Sequence, residues 1–296
     1  MKKRFKKIFN VFKKMILPGF GGVPIFNVIK FFYKKLLNES ISMRASAVAY
    51  SLFLAMFPGL IFLFTLIPYI PLPDLKLEMF HIFKEMLPSA AFATIESTLS
   101  DILLTRHGGL LSFGVIMTVY FATNGIDKLI QTFNHNIRVK FIRRYPVSLM
   151  LTFLLSFLTI ISLAILIGGS YVLEYLRLIS FFKAIWIYNI ISLFKFVISI
   201  LLLICTVSML YYFGTVKMHK FSFFSPGALL SSICIAISSI GFRYYVENFG
   251  NYNTLYGSLG ALICLMIYLY LNSSILIAGY EFNKSIISAQ KQQGVE

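Results

Sequence analysis

Residues 253–283 read NTLYGSLGALICLMIYLYLNSSILIAGYEFN, and this stretch decides the fold. From Gly257 to Tyr280 no residue is charged. That is 24 positions, or about 36 Å of helix at the usual rise, enough to cross a hydrocarbon core of roughly 30 Å with some tilt. Gly257, Ala261, Cys264, Tyr268, Asn272, Ile275 and Gly279 recur every three or four positions and share one helical face. That face is small or polar, whereas Leu, Ile and Met occupy the others, so the helix meets lipid on one side and protein on the other. It ends on Glu281, an acid that would be expensive against lipid.

The rest of the chain has the same character. Of its 296 residues 58% are apolar and 13% charged, against about 25% charged in a soluble domain, and mean hydropathy is +0.81. The expected class is all-α: a polytopic membrane protein with a six-helix bundle. Outer-membrane barrels alternate over about 10 residues, and these apolar runs are continuous. Lys13, Lys14 and Pro18-Gly19 interrupt any early apolar run, so no cleavable signal peptide is expected. The cysteines at 205, 234 and 264 lie in separate apolar runs without CxxC spacing and read as packing residues.

Six spans follow from hydropathy, at about 46–70, 109–126, 146–172, 190–213, 223–243 and 257–280. Three segments result: a basic amphipathic stretch over 1–44, a membrane domain over 45–283 and a tail over 284–296. Residues 1–44 hold eleven Lys/Arg and one acid. Phe5, Ile8, Phe9, Phe12 and Ile16 keep helical spacing. After the break at Pro18-Gly19 and Gly21-Gly22, so do Ile29, Phe32, Tyr33, Leu36 and Leu37. Such helices suit an anionic inner leaflet, which makes membrane lipids the expected partner of Lys2–Lys35. A disordered basic tail is the other reading of 1–44. Lys195, inside the fourth span, is expected to snorkel towards an interface. The long loop 71–108 is expected to form two short amphipathic helices.

With the N-terminus inside, the inner segments carry 20 Lys/Arg against four acids, and the remaining seven Lys/Arg face seven acids. The positive-inside rule then places both termini in the cytoplasm. The basic charge is accounted for by orientation, so nucleic acid is not an expected partner.

Candidate binding residues gather near the predicted inner surface. Arg44 precedes the first span in RASAVAYSLFLAMFP, where Tyr50 lies in a run of small residues and Ala45 and Ala49 allow close helix approach. Pro58-Gly59 lies mid-span and invites a kink. Asn124 and Asp127 end the second span, and Glu281 and Asn283 end the sixth. Arg44 and Glu281 sit at similar depth, so a pair is expected. The cluster admits two readings: a polar vestibule for a headgroup or ion, or ion pairs and caps that lock helix ends. Tyr256 belongs to a Tyr/Asn-rich outer rim, which reads as a headgroup site or as an aromatic belt. No HExxH, GxSxG or GxxxxGK[ST] occurs, and the four histidines are scattered. Neither an enzyme, nor a metal, nor a cofactor is expected.

These features resemble the YihY/BrkB family of bacterial inner-membrane proteins. The resemblance rests on RASAVAYSLFLAMFP at 44–58, on ATNGIDKLIQTFNHNIRV at 122–139 followed by Arg143 and Arg144, and on NTLYGSLGA, IYLY and GYEFN within 253–283. It covers roughly residues 36–285. Tyr268 stands where a tryptophan is common, and Tyr280 where a small residue is usual. The resemblance implies six spans and an envelope role. Some relatives carry the name ribonuclease BN, with which the absent nuclease residues disagree. The expected function is movement of a lipid or other amphiphile across the membrane, with a non-transporting envelope scaffold as the alternative.

Overall fold

In the computed structural model, the structure describes residues 19–38, 40–69, 96, 100–101, 105–135, 140–178, 185–215, 222–248 and 258–294. Among them the protein is all-α. The helices are α1 (Ile25–Asn38), α2 (Ile41–Leu66, followed by a 3-10 turn at Ile67–Tyr69), α3 (Gly108–Phe133), α4 (Phe141–Leu178), α5 (Ile185–Gly214), α6 (Pro226–Asn248) and α7 (Ser258–Gln293). Six of them, α2 to α7, are long and apolar enough to cross a membrane, over Ile41–Tyr69, Gly108–Phe133, Phe141–Ile165, Asn189–Gly214, Pro226–Val246 and Leu262–Gln293. This is a membrane protein, and each expected span has its helix. The amphipathic helix expected before Pro18, most of loop 71–108 and Tyr256 lie outside the described residues.

The chain divides into two compact units, one formed by 1–49 and 126–296, the other by 50–125. In the first, α7 packs against α6 and α1, and α5 against α4 and α6. The seam between α6 and α7 is very close. A Cβ at Gly227 would overlap the Gly279 carbonyl oxygen, and one at Gly279 would stand 2.8 Å from the Tyr211 hydroxyl. Small residues let these backbones meet, the usual device where lipid offers no hydrophobic drive for helix association. Polar groups then span the seam. The Tyr211 hydroxyl is 2.7 Å from Ser231 Oγ and donates to the Leu276 carbonyl at 2.7 Å. Phe133 stacks on Tyr280 with ring centroids 4.2 Å apart, and Tyr211 meets both rings edge-on. These rings tie the end of α3 to α5 and α7.

The smaller unit contains the later part of α2 and the earlier part of α3. The two run antiparallel: Leu52 lies against Gly125, Gly59 near Thr118, and the backbone of Phe62 is 3.2 Å from where a Gly114 Cβ would stand. Helix α2 passes through Pro58 without interruption, so this proline does not break the first span.

Two differences from the sequence reading concern what α1 does. Its protein-facing residues are Val28, with Ile25 and Phe31 beside it, and Phe32, whose ring meets Phe282 edge-on at 5.4 Å. Ile29, Tyr33 and Leu36 remain exposed, beside exposed Lys30 and Lys34. Helix α7 also continues past 280 to Gln293. The reason is the same for both: Ile286 and Ala289 of α7 form a small core with Phe20, Val23 and Val28. The turn before α1 allows this. Gly19, Gly21 and Gly22 adopt positive φ of 88°, 57° and 82°, conformations that side chains resist. Gln290 closes the turn by donating to the Phe20 carbonyl at 3.3 Å.

Helix α6 offers an internal test of the seam. Gly227→Ala should lower stability by about 1–3 kcal/mol through overpacking against a backbone carbonyl. Gly241→Ala, on the same helix but with nothing within 4 Å, should be neutral or slightly stabilising. Thermal unfolding of both purified variants in detergent distinguishes them, and matched melting temperatures would disprove the close seam.

Candidate functional site

The polar end of α7 carries the most concentrated charge among the described residues of the larger unit. Glu281 follows an apolar run of two dozen residues, and its side chain is 0% exposed. An isolated carboxylate there would be prohibitive, because desolvating a charge costs several kcal/mol unless counter-charges surround it. The surroundings supply them from several elements. Arg44 at the start of α2 reaches Glu281 Oε1 at 3.4 Å, so the expected pair forms. Lys284, three residues on along α7, reaches the same oxygen at 3.3 Å. Lys35 from α1 lies 3.6 Å from Oε2, and His135 just beyond α3 lies 3.9 Å from Oε1.

Each of these groups is held in turn. Arg44 Nη1 donates to the Thr132 carbonyl at 3.3 Å and lies 2.9 Å from His135 Nδ1, which is itself 3.1 Å from the same carbonyl. Lys284 Nζ also sits 5.0 Å from the centre of the Tyr280 ring. Whereas the carboxylate is fully buried, the side chains of Arg44, Lys284, Lys35 and His135 are 14, 18, 22 and 26% exposed. A buried acid at the base thus gathers a partly open layer of basic groups.

Asp127 belongs to a separate arrangement. Both its oxygens accept from Arg144 of α4, through Nε and through Nη2 at 3.0 Å. Ser148 Oγ donates to it at 3.2 Å and Gln131 Nε2 at 2.8 Å. The bidentate fork fixes orientation as well as charge and fastens α3 to α4 across the connection between them. Asn283 is engaged at the start of α6. Its Oδ1 accepts from Gly227 N at 2.7 Å and its Nδ2 donates to Ser225 Oγ at 2.7 Å. A helix start leaves backbone N–H groups without intrahelical acceptors, and Asn283 supplies one from a neighbouring helix. Tyr50, 57% exposed, and half-buried Asn124 lie in the smaller unit. Tyr256 lies outside the described residues.

The structure therefore brings Arg44 and Glu281 together and gives Asp127 and Asn283 partners of their own. Sequence reasoning missed Lys35, His135, Lys284 and Arg144 as those partners. Lys284 was visible in principle, since residues three apart on a helix are neighbours. Lys35 and His135 lie 246 and 146 positions from Glu281, and no local pattern marks them.

Higher on α7 a further polar group appears. Asn272 Oδ1, Ser273 Oγ and Ser274 Oγ are buried and have no hydrogen-bond partner among the described residues. They lie within about one turn of the Ile275 and Leu276 carbonyls, which accept from Ser231 and Tyr211.

A family profile described as "Virulence factor BrkB" matches residues 32–295. The chain is 30% identical to "Putative ribonuclease-like protein YfkH" of Bacillus subtilis over 88% of this chain and 94% of that protein. It is 24% identical to "UPF0761 membrane protein" of Tolumonas auensis, over 86% of this chain and 84% of the relative. A protein of the same description from Vibrio campbellii is 23% identical over 90% and 83%. No solved structure matches the chain.

The burial pattern around Glu281 predicts unequal costs. Glu281→Gln should cost about 3–5 kcal/mol, because it leaves clustered cations without their buried counter-charge. Lys284→Gln removes one partly hydrated partner of several and should cost less than about 1 kcal/mol. Denaturation monitored by helical circular dichroism in detergent reads both, and equal stability of Glu281→Gln and the unsubstituted protein would overturn the assignment.

Proposed function

The chain belongs to the virulence factor BrkB family of membrane proteins, and we propose that this member moves a lipid or other amphiphile across a bacterial cytoplasmic membrane. Both termini face the cytoplasm in this reading, which rests on the surplus of Lys/Arg in alternate connections. The chain relocates its substrate rather than transforming it, and is not an enzyme.

One observation carries the proposal: the buried polar atoms in the middle of α7. Asn272, Ser273 and Ser274 keep buried polar oxygens in mid-span, and about 13 Å further along the helix axis stands Glu281 with its basic neighbours. Polar atoms within an apolar helix are costly unless they meet partners, water or a passing polar group. A route for a headgroup, with acyl chains left in lipid, gives such atoms a use. The fixed seam at Gly227, Gly279 and Asn283 supports a second reading, a static scaffold for envelope assembly, since it makes α6 and α7 rigid.

Reconstituted vesicles separate the two. Purified protein in liposomes carrying a fluorescent phospholipid should increase the fraction of label that moves between leaflets, read by dithionite quenching. Asn272→Leu combined with Ser273→Ala replaces polar atoms by apolar ones of similar size, so folding should be retained or improved. Movement should nevertheless fall about tenfold, equivalent to roughly 1.4 kcal/mol of barrier. Equal movement in protein-free vesicles would sink the transport reading, and equal movement in the double variant would sink the role given to these mid-span polar atoms.

A further inference from the structure

We propose that the face of α1 turned away from the protein docks on the anionic lipid surface of the membrane. Ile29, Tyr33 and Leu36 enter the lipid interface, and Lys30 and Lys34 meet acidic headgroups. The proposal goes beyond the transport reading and does not rest on it, since a transporter and a scaffold could both be moored in this way.

Helix α1 has three faces. Val28, Phe32 and Lys35 are three or four positions apart and form the side that meets protein. Val28 is buried in the core with Ile286 and Ala289, the Phe32 ring meets Phe282 at 5.4 Å, and Lys35 Nζ lies 3.6 Å from Glu281 Oε2. Ile29, Tyr33 and Leu36 repeat that spacing one residue on, about 100° further round the helix. They are 42, 63 and 38% exposed. A single exposed apolar side chain is ordinary, but a row of them on one helical face marks a surface meant to be covered. Lys30 and Lys34, both exposed, form the third face and border that row.

Depth identifies what covers the row. Phe282, Ile286 and Ala289 stand two, six and nine positions past Tyr280, the last residue of the uncharged run, which is about 3, 9 and 14 Å along the helix axis. The headgroup layer of one leaflet is roughly 5–8 Å thick. Helix α1 is therefore held against α7 where hydrocarbon gives way to headgroups and water. Its later residues lie nearest the span, because Phe32 and Lys35 reach Phe282 and Glu281, whereas Val28 shares its core with Ile286 and Ala289. An apolar row bordered by lysines is the face with which an interfacial helix enters the acyl boundary while its cations hold anionic headgroups. Tyrosine is also at home at this level. A protein partner would have to reach the row through the headgroup layer, so lipid is the occupant favoured here. Of the three lysines in α1, Lys35 is turned to Glu281, and the attraction to acidic lipid falls to Lys30 and Lys34.

Fluorescence of the full-length protein in vesicles tests both halves of the proposal. The chain has one tryptophan, Trp186, so Trp186→Phe with Tyr33→Trp puts a single reporter on the row. Trp186→Phe with Lys291→Trp puts a control on an exposed position of α7 further from the span. Exposed substitutions of this kind leave stability nearly unchanged, and helical circular dichroism checks each variant. Quenching is measured with brominated phosphatidylcholine and with brominated phosphatidylglycerol, each diluted in unbrominated phosphatidylcholine. The reporter at position 33 should be quenched and the control should not. Its quenching should show phosphatidylglycerol preferred over phosphatidylcholine by about fivefold, the effect of roughly one lysine near an anionic surface. Lys30→Gln with Lys34→Gln should abolish that preference while quenching by phosphatidylcholine persists, and Lys30→Arg with Lys34→Arg should preserve it. Quenching at position 33 no greater than in the control would overturn the proposal. Blue-shifted emission without quenching would also overturn it, by showing that protein, a second copy or another segment, covers the row. Equal quenching by the two lipids, or a preference that survives the Gln pair, would overturn the part given to Lys30 and Lys34.

Discussion

A carboxylate without exposed surface, set where the long uncharged part of α7 gives way to its polar end, constrains this structure more than any other group. Glu281 lies where hydration is withdrawn, so its charge persists only if the fold delivers counter-charges. Those counter-charges come from α1, α2 and α7 itself. Helix ends distant in sequence are thereby required to meet at one place. The aromatic contacts of Phe133, Tyr211 and Tyr280 lie immediately beside it, and the residue on either side of Glu281 also takes part in helix packing, Tyr280 against Phe133 and Phe282 against Phe20 and Phe32.

Against this background the two readings of the polar cluster are not exclusive in physical terms. Ion pairs that lock helices normally neutralise themselves, as Asp127 and Arg144 do through two matched contacts and a bond from Ser148. The Glu281 group is asymmetric, with one acid beneath several bases.

Much of the fold was legible in the sequence because its governing signal is long and one-dimensional. Runs of some twenty apolar residues identify spans without reference to anything distant, and all six appear. The Arg44–Glu281 pair was legible too, since span ends fix depth. What escaped depends on lateral position, which hydropathy does not encode. Lys35 looked like one of many leaflet-facing lysines until α1 turned out to pack on α7 with Val28 and Phe32 inward. Asn283 looked like a site residue by proximity to Glu281, although the next helix start claims both its amide atoms. Helical periodicity alone placed Ile29 and Phe32 on one face of α1; which part of that face meets protein is decided by Ile286 and Ala289, over 250 residues away.

The Gly227–Gly279 seam has a mechanical consequence. Two backbones in direct contact, cross-linked by Asn283 and by the Tyr211 hydroxyl, have no thickness of side chain between them to shear. Helices α6 and α7 therefore act as a single strut. In the larger unit, the glycine turn at 19–22 and the core of Val23, Val28, Ile286 and Ala289 lay α1 over the end of this strut.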